Sequence, residues 1–290
     1  MTFTESPTLT AESTSRLTRT KHFRIHYHEA GEGHPIVLLH GSGPGATGWS
    51  NFRPNIEALA AHHRVLAVDM PGWGESDTQT AETGRDHVET LLQFLDEVGV
   101  EKAALVGNSM GGMTAISTAV RHPDRVSHLI TMGAPCPGPS LFSAGNGPSE
   151  GLKVLIEAYQ EPTSENMKRL VRIMCFDPAL ATDELAALRS AAATAHPEHL
   201  RSFLEGATAT PAESSTAAFF GLAAQLSSIN TPTMAIHGRD DRVVHFENSL
   251  RLTTVVPDSR LVLLNRCGHW AQIEHASEFN RLVASFVGAH

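Results

Sequence analysis

The stretch "KAALVGNSMGGMTAISTAVRHP" (102–123) constrains the fold of this chain more than any other. Residues 102–108 form a short apolar run that reads as a buried strand. Residues 113–123 are helical and end before a proline. Between them, Gly107-Asn108-Ser109-Met110-Gly111 is a G-x-S-x-G motif. A strand that turns this sharply into a helix needs small residues on both sides of the turn. The turn leaves the Ser109 hydroxyl exposed above the strand end, at a helix N-terminus. As an ordinary Gly-rich loop the motif would need no partners. As a nucleophile, Ser109 needs a base and an orienting acid elsewhere.

The rest of the chain repeats the strand–helix rhythm. Apolar runs at 35–40, 64–70, 126–133, 231–238 and 259–265 read as strands. Residues 87–99 carry Val88, Leu91, Leu92, Leu95 and Val98 at helical spacing and stop at Gly99; 277–288 forms a closing helix. Short apolar strands separated by amphipathic helices imply an α/β fold with a largely parallel sheet. From about 135 to 225 no strand pattern appears. Helical patterns take its place at 151–160, 166–176, 183–193 and 198–208, behind the Pro/Gly/Ser-rich opening "APCPGPSLFSAGNGPSEG". The expected organisation is a flexible tail (1–17), a core (18–138 and 216–290) and a helical insertion (139–215).

The acid and base follow in order. "IHGRDDRVV" places Asp241 just past the strand at 231–238. Asp240 competes for the acid's role, and only spacing from Gly238 favours Asp241. "RCGHW" supplies His269 after the last strand. Each candidate sits at a strand's C-terminal end, where open parallel sheets bind ligands. The oxyanion hole should come from the Met110 amide and the loop "HGSGPGATGW" (40–49), with Ser42 as the second donor. That loop lacks the ending of a phosphate-binding P-loop. In "NRCGHWAQIEHASEFN" (265–280), Cys267, His269, Glu274 and His275 are metal-ligand types. Placed after the last strand, they separate: His269 acts as base, Cys267 packs as a small buried residue, and Glu274 and His275 begin or cap the closing helix.

Together, "LLHGSGPGATGWSNF", "LVGNSMGG", "HGRDDRVV" and "CGHWAQIEHASEFNRLV" resemble the meta-cleavage product hydrolases of the α/β-hydrolase superfamily. The resemblance covers the chain from about residue 18. It implies an α/β-hydrolase fold with a helical lid, and hydrolysis of a C–C bond in 2-hydroxy-6-oxohexa-2,4-dienoates. Carbon is a poor leaving group, so such chemistry needs a proton shuttle, an oxyanion hole and a cationic clamp for the carboxylate. The resemblance implies that Arg189 is the clamp, with Gly41, Gly43, Asn51, Asn108, Met174 and Trp270 binding substrate. Leu152, Phe176, Phe219 and Phe220 are candidates for the wall around the variable C6 substituent. Asn51 could equally cap a helix beginning near Phe52. The chain departs from many relatives at Ser42 (Gly there), His237 (Trp) and His245 (Pro).

The resemblance implies no cofactor or metal, and a homodimer or higher homo-oligomer. Against nucleic acid stands a net charge of −9 with no basic cluster. No apolar run reaches the ~18 residues of a membrane helix. The N-terminus shows no secretory pattern, and three scattered cysteines favour a reducing cytoplasm. The competing reading is a carboxylesterase or lactonase with the same triad, which would need no carboxylate clamp.

Overall fold

The computed structural model describes residues 9–80, 83–138, 148–207 and 215–288. Its centre is one eight-stranded sheet. The strands are β1 (Ser15–Arg19), β2 (Arg24–Ala30), β3 (Pro35–Leu39), β4 (Arg64–Val68), β5 (Ala103–Asn108), β6 (Val126–Met132), β7 (Thr233–Gly238) and β8 (Ser259–Leu264). Their order is β1-β2-β4-β3-β5-β6-β7-β8. From β4 through β8 neighbours pair in parallel, while β1 and β2 join antiparallel at one edge.

The central strands are apolar throughout because both faces are covered. Ile36 and Leu38 pack on one face with Phe52, Ile56 and Leu59 of α2 (Gly48–Ala60) and with Phe279 and Val283 of α12 (Ala276–Gly288). Val37 and Leu39 pack on the other with α3 (His87–Glu97) and α4 (Met110–Arg121). α10 (Glu247–Val255) adds Leu252 there, and α11 (Ala271–Glu274) links the last loop to α12. The alternation is the two-residue period of a strand.

α2 starts four residues before Phe52. Thr47 caps it: the Ser50 amide donates to Thr47 Oγ1 at 2.9 Å, and the Thr47 amide donates to Ser50 Oγ at 2.9 Å. Asn51 is therefore inside the helix, and its capping alternative falls away.

Between β6 and β7 the described residues hold no strand. They form α5 (Glu150–Gln160), α6 (Ser164–Met174), α7 (Asp183–Ala195), α8 (Pro197–Ala207) and α9 (Ser215–Phe220). Leu155, Leu170 and Val171 build a separate apolar cluster that also holds Val243 and Trp270 from the core loops. This cluster seats the helices over the C-terminal strand ends. The expected start of the insertion at 139, and most of the approach to 215, lie outside the described residues.

The expected tail through residue 17 is corrected over its second half. α1 (Ala11–Thr14) and β1 are folded, with Leu17 opposite His26 in the ladder. The polar residues that suggested a tail are the attachment: Thr14 Oγ1 meets His28 Nδ1 at 2.9 Å and Ser15 Oγ meets His26 Nε2 at 2.9 Å. Side chain to side chain bonds of this kind give no hydropathy signal.

Candidate active site

The turn between β5 and α4 is as tight as the motif requires. Ser109 sits at φ 52°, ψ −113°, a conformation non-glycine residues avoid. A Cβ on Gly107 would lie 2.3 Å from the Gly111 carbonyl oxygen, and one on Gly111 would lie 2.2 Å from that of Leu39. The Ser109 amide donates to the Met132 carbonyl at 2.9 Å, which ties the turn to β6. The Met110 amide opens α4, one of the donors a helix start leaves without an intrahelical partner.

The loop after β7 brings Asp241, not Asp240, to the base. His269 Nδ1 and Asp241 Oδ2 are 2.7 Å apart. The other carboxylate oxygen, Oδ1, accepts from the Val243 and Val244 amides at 2.7 and 2.9 Å. Asp241 is thus buried but fully partnered. Burial pushes its pKa up, but the His269 charge and the hydrogen bonds from His237 and His269 outweigh it and hold the group well below the usual carboxylate range. Gly133 backs the pair at φ +50°; a Cβ there would lie 2.8 Å from His269 Nδ1.

Ser109 and His269 open into one cavity. Gly41, Ser42, Gly43, Asn51, Asn108, Met174, Arg189 and Trp270 line it too, which brings the expected substrate-binding residues to one wall. Arg189 is 5% exposed, yet Nε and one terminal nitrogen, Nη2, have no hydrogen-bond partner among the described residues. Its guanidinium lies 4.9 Å from the Trp270 ring centroid, a cation–π contact. Burial lowers its pKa to about 10, so it stays charged at neutral pH. Gly43 makes room for it, since a Cβ there would lie 3.2 Å from Nη2.

Asn108 is also buried. Its amide nitrogen donates to the Met132 and His269 carbonyls at 3.2 and 3.3 Å, leaving Oδ1 without a partner among the described residues. The free atom is an acceptor, suited to a hydroxyl rather than a carboxylate. The Asn51 side-chain nitrogen donates to the Thr47 carbonyl at 3.0 Å and so steadies the start of α2.

Three wall candidates lie elsewhere. Phe176 is 38% exposed beneath the Arg266 guanidinium, Phe219 is buried in the core beneath the sheet, and Phe220 is exposed. Only Leu152 of that group lines the cavity, with Leu155 and Val243, which carried no sequence signal. Tyr159 was also silent: its hydroxyl donates to the Ser42 carbonyl at 2.6 Å and accepts from Trp73 Nε1 at 3.0 Å, pinning the oxyanion loop.

Glu274 does not simply begin a helix. Its carboxylate accepts from the Gly268 amide at 2.6 Å and from the Phe176 and Asp177 amides at 2.8 and 3.0 Å. It fastens the His269 loop to the end of α6. His275 Nε2 donates to the Arg266 carbonyl at 3.1 Å, and Cys267 is buried as expected; Glu274 instead ends α11, two residues before the closing helix. A different trio, His196, Glu198 and His199, brings ligand-type atoms within 4.8 Å of one another. Both His199 ring nitrogens are committed there, to Thr78 Oγ1 at 2.6 Å and the Gly74 carbonyl at 3.2 Å.

Residues 36–282 match the model of the alpha/beta hydrolase family. The chain is 42% identical to a 2-hydroxy-6-oxononadienedioate/2-hydroxy-6-oxononatrienedioate hydrolase of Cupriavidus pinatubonensis, covering 97% of each. It is 41% identical to a 2-hydroxy-6-oxo-6-phenylhexa-2,4-dienoate hydrolase of Burkholderia cepacia, covering 91% of each. Its structure is similar to a meta-cleavage product hydrolase of Pseudomonas fluorescens, with TM-score 0.84, 35% identity, and 94% and 97% of the two chains covered. An elbow serine, a partnered acid–base pair and a buried free guanidinium in one cavity agree with these likenesses: the chain belongs to the alpha/beta hydrolase family and, within it, to the meta-cleavage product hydrolases.

Proposed function

We propose that the chain hydrolyses the C5–C6 bond of 2-hydroxy-6-oxohexa-2,4-dienoates, giving 2-hydroxypenta-2,4-dienoate and a carboxylic acid, with Ser109, His269 and Asp241 as its catalytic triad. The observation that carries the reading is Arg189: a buried cation with unused donors, aimed into the serine's cavity. A buried unpaired charge costs several kcal/mol. A substrate carboxylate bound there would recover that cost through bidentate bonds.

With the carboxylate at Arg189, the 2-hydroxyl falls to Asn108 Oδ1 and His269. His269 takes the hydroxyl proton and delivers it to C5, forming the 2,6-dioxo tautomer. Attack at C6 from the Ser109 position puts negative charge on the C6 oxygen, beside the Met110 and Ser42 amides. Breaking C5–C6 sends the electron pair into the 2-oxo acid, and water completes release of the acyl group. Asp241 holds the His269 tautomer throughout.

A homo-oligomer fits β8, an open edge strand whose Leu263 is 41% exposed. The free cysteines Cys136, Cys175 and Cys267 fit a reducing cytoplasm.

The test follows loss of the yellow dienoate absorbance. Wild type should bleach it, and Ser109→Ala should bind it without turnover. Rapid hydrolysis of simple esters with no bleaching of any dienoate would favour an esterase instead.

A further inference from the structure

The cavity wall divides by chemistry. Gly41, Ser42, Gly43, Asn51, Asn108 and Arg189 present polar groups or backbone. Leu152, Leu155, Met174 and Val243 are apolar, and the last three also belong to the apolar cluster of the helical insertion. Among the described residues, Arg189 is the only Lys or Arg on the wall. No Lys or Arg occurs in residues 1–8, 81–82, 139–147, 208–214 or 289–290, so the segments outside the described residues hold no hidden one.

One polar group bonded to the backbone of two apolar wall residues is already committed. Ser149 caps α5, accepting from the Leu152 amide at 3.2 Å and donating to the Val243 carbonyl at 2.8 Å. Glu150 adds a negative charge to the first turn of that helix.

From this division we infer that the chain selects dienoates with a neutral, apolar C6 substituent, such as aryl or alkyl, and discriminates against dienedioates carrying a second carboxylate there. The inference rests on the reaction proposed above. One carboxylate pairs with Arg189. A second would sit among leucine, methionine and valine side chains with no cation to pair it. The site already holds the Asp241 charge behind His269, so a dianion leaves the cavity with excess negative charge.

The test is a matched pair of substrates: 2-hydroxy-6-oxonona-2,4-dienoate and its 9-carboxylate, the 2-hydroxy-6-oxonona-2,4-dienedioate, with the 6-phenyl dienoate as a third. The neutral-tailed substrates should show kcat/KM about tenfold or more above the dioate. Leu152→Arg, at a wall position 38% exposed and so able to take a longer side chain, should shrink that ratio by about tenfold. A dioate turned over as well as its neutral match by wild type overturns the inference, as does an unchanged ratio in the variant. Bleaching of none of the three would instead overturn the reaction.

Discussion

His237 Nε2 lies 3.2 Å from Asp241 Oδ2, the same oxygen that meets His269. Both His237 and the Asp241 side chain are fully buried. The other ring nitrogen, Nδ1, meets Ser249 Oγ at 2.7 Å. With Nδ1 accepting from that hydroxyl, Nε2 carries the proton and donates it to Asp241 and to the Val244 carbonyl at 2.8 Å. Two histidines thus steady one carboxylate.

His237→Phe should lower kcat by about tenfold, the scale of a lost hydrogen bond to a charged group, with KM little changed. The sign in pH follows from the carboxylate. His237 favours the ionised form of Asp241, so its removal raises the Asp241 pKa toward ordinary values. Activity should then fail at a higher pH on the acid side. The wild-type group contributes stability above its unfolded pKa, and this is lost as pH falls through the depressed folded value. pH profiles of kcat, with Ser249→Ala as the milder variant, check this. An acid limb that does not move refutes it.

Arg189→Ala should reduce kcat/KM on dienoates by about a thousandfold, the scale of removing one partner of a buried charge pair. Hydrolysis of a nitrophenyl ester, which has no carboxylate to clamp, should change by less than about tenfold. Arg189→Lys should recover little, since an ammonium lacks the planar fork. Steady-state kinetics on both substrates decides, and equal losses would remove Arg189 from its assigned place.

Glu274→Gln removes a charge that three amides share. An amide side chain offers one oxygen, so some of the Gly268, Phe176 and Asp177 donors lose their acceptor. The expected destabilisation is about 1–3 kcal/mol. Because His269 follows Gly268, kcat should fall as well. Denaturant melts and dienoate kinetics on the same preparation would show both effects. A variant as stable and active as wild type would mean the carboxylate does not hold the loop.

Gly133→Ala adds a methyl group at φ +50°, in contact with His269 Nδ1 and Asp241 Oδ2. The backbone strain is about 1 kcal/mol and the contact must also relax. Activity should drop further than stability, because the relaxation displaces the His269–Asp241 pair. Comparing kcat with the melting midpoint separates the two, and loss of stability with full kcat would count against the assignment.

The strands β3 to β7 were legible because each is a run of apolar residues buried on both faces, and β8 because its apolar run follows the same rhythm, each bounded by Gly, Pro or a helical pattern. β1 and β2 were not. Their sequence, "SRLTR" and "RIHYHEA", carries charged and histidine side chains that a sheet edge tolerates and that hydropathy reads as surface. The helices of the insertion were legible from 3.6-residue spacing alone. What each contributes to the cavity was not. Met174 and Leu155 reach it, whereas Phe176, two residues beyond α6, turns to the surface.

The order of Ser109, Asp241 and His269 at three strand ends was set by the sequence, because a parallel sheet gathers its C-terminal strand ends on one edge. Residues with strict local requirements, such as the glycines of the elbow, announce themselves in the same way. Between Asp240 and Asp241 the sequence offered only the spacing from Gly238; the fold of the loop after β7 decides it, with Asp241 on His269. The same holds for His237 beneath the carboxylate, Glu274 across three amides, Gly133 behind His269 and Tyr159 on the Ser42 carbonyl. These are contacts between segments far apart in the chain. Their energies come from burial and hydrogen-bond geometry, and only the tertiary structure decides them.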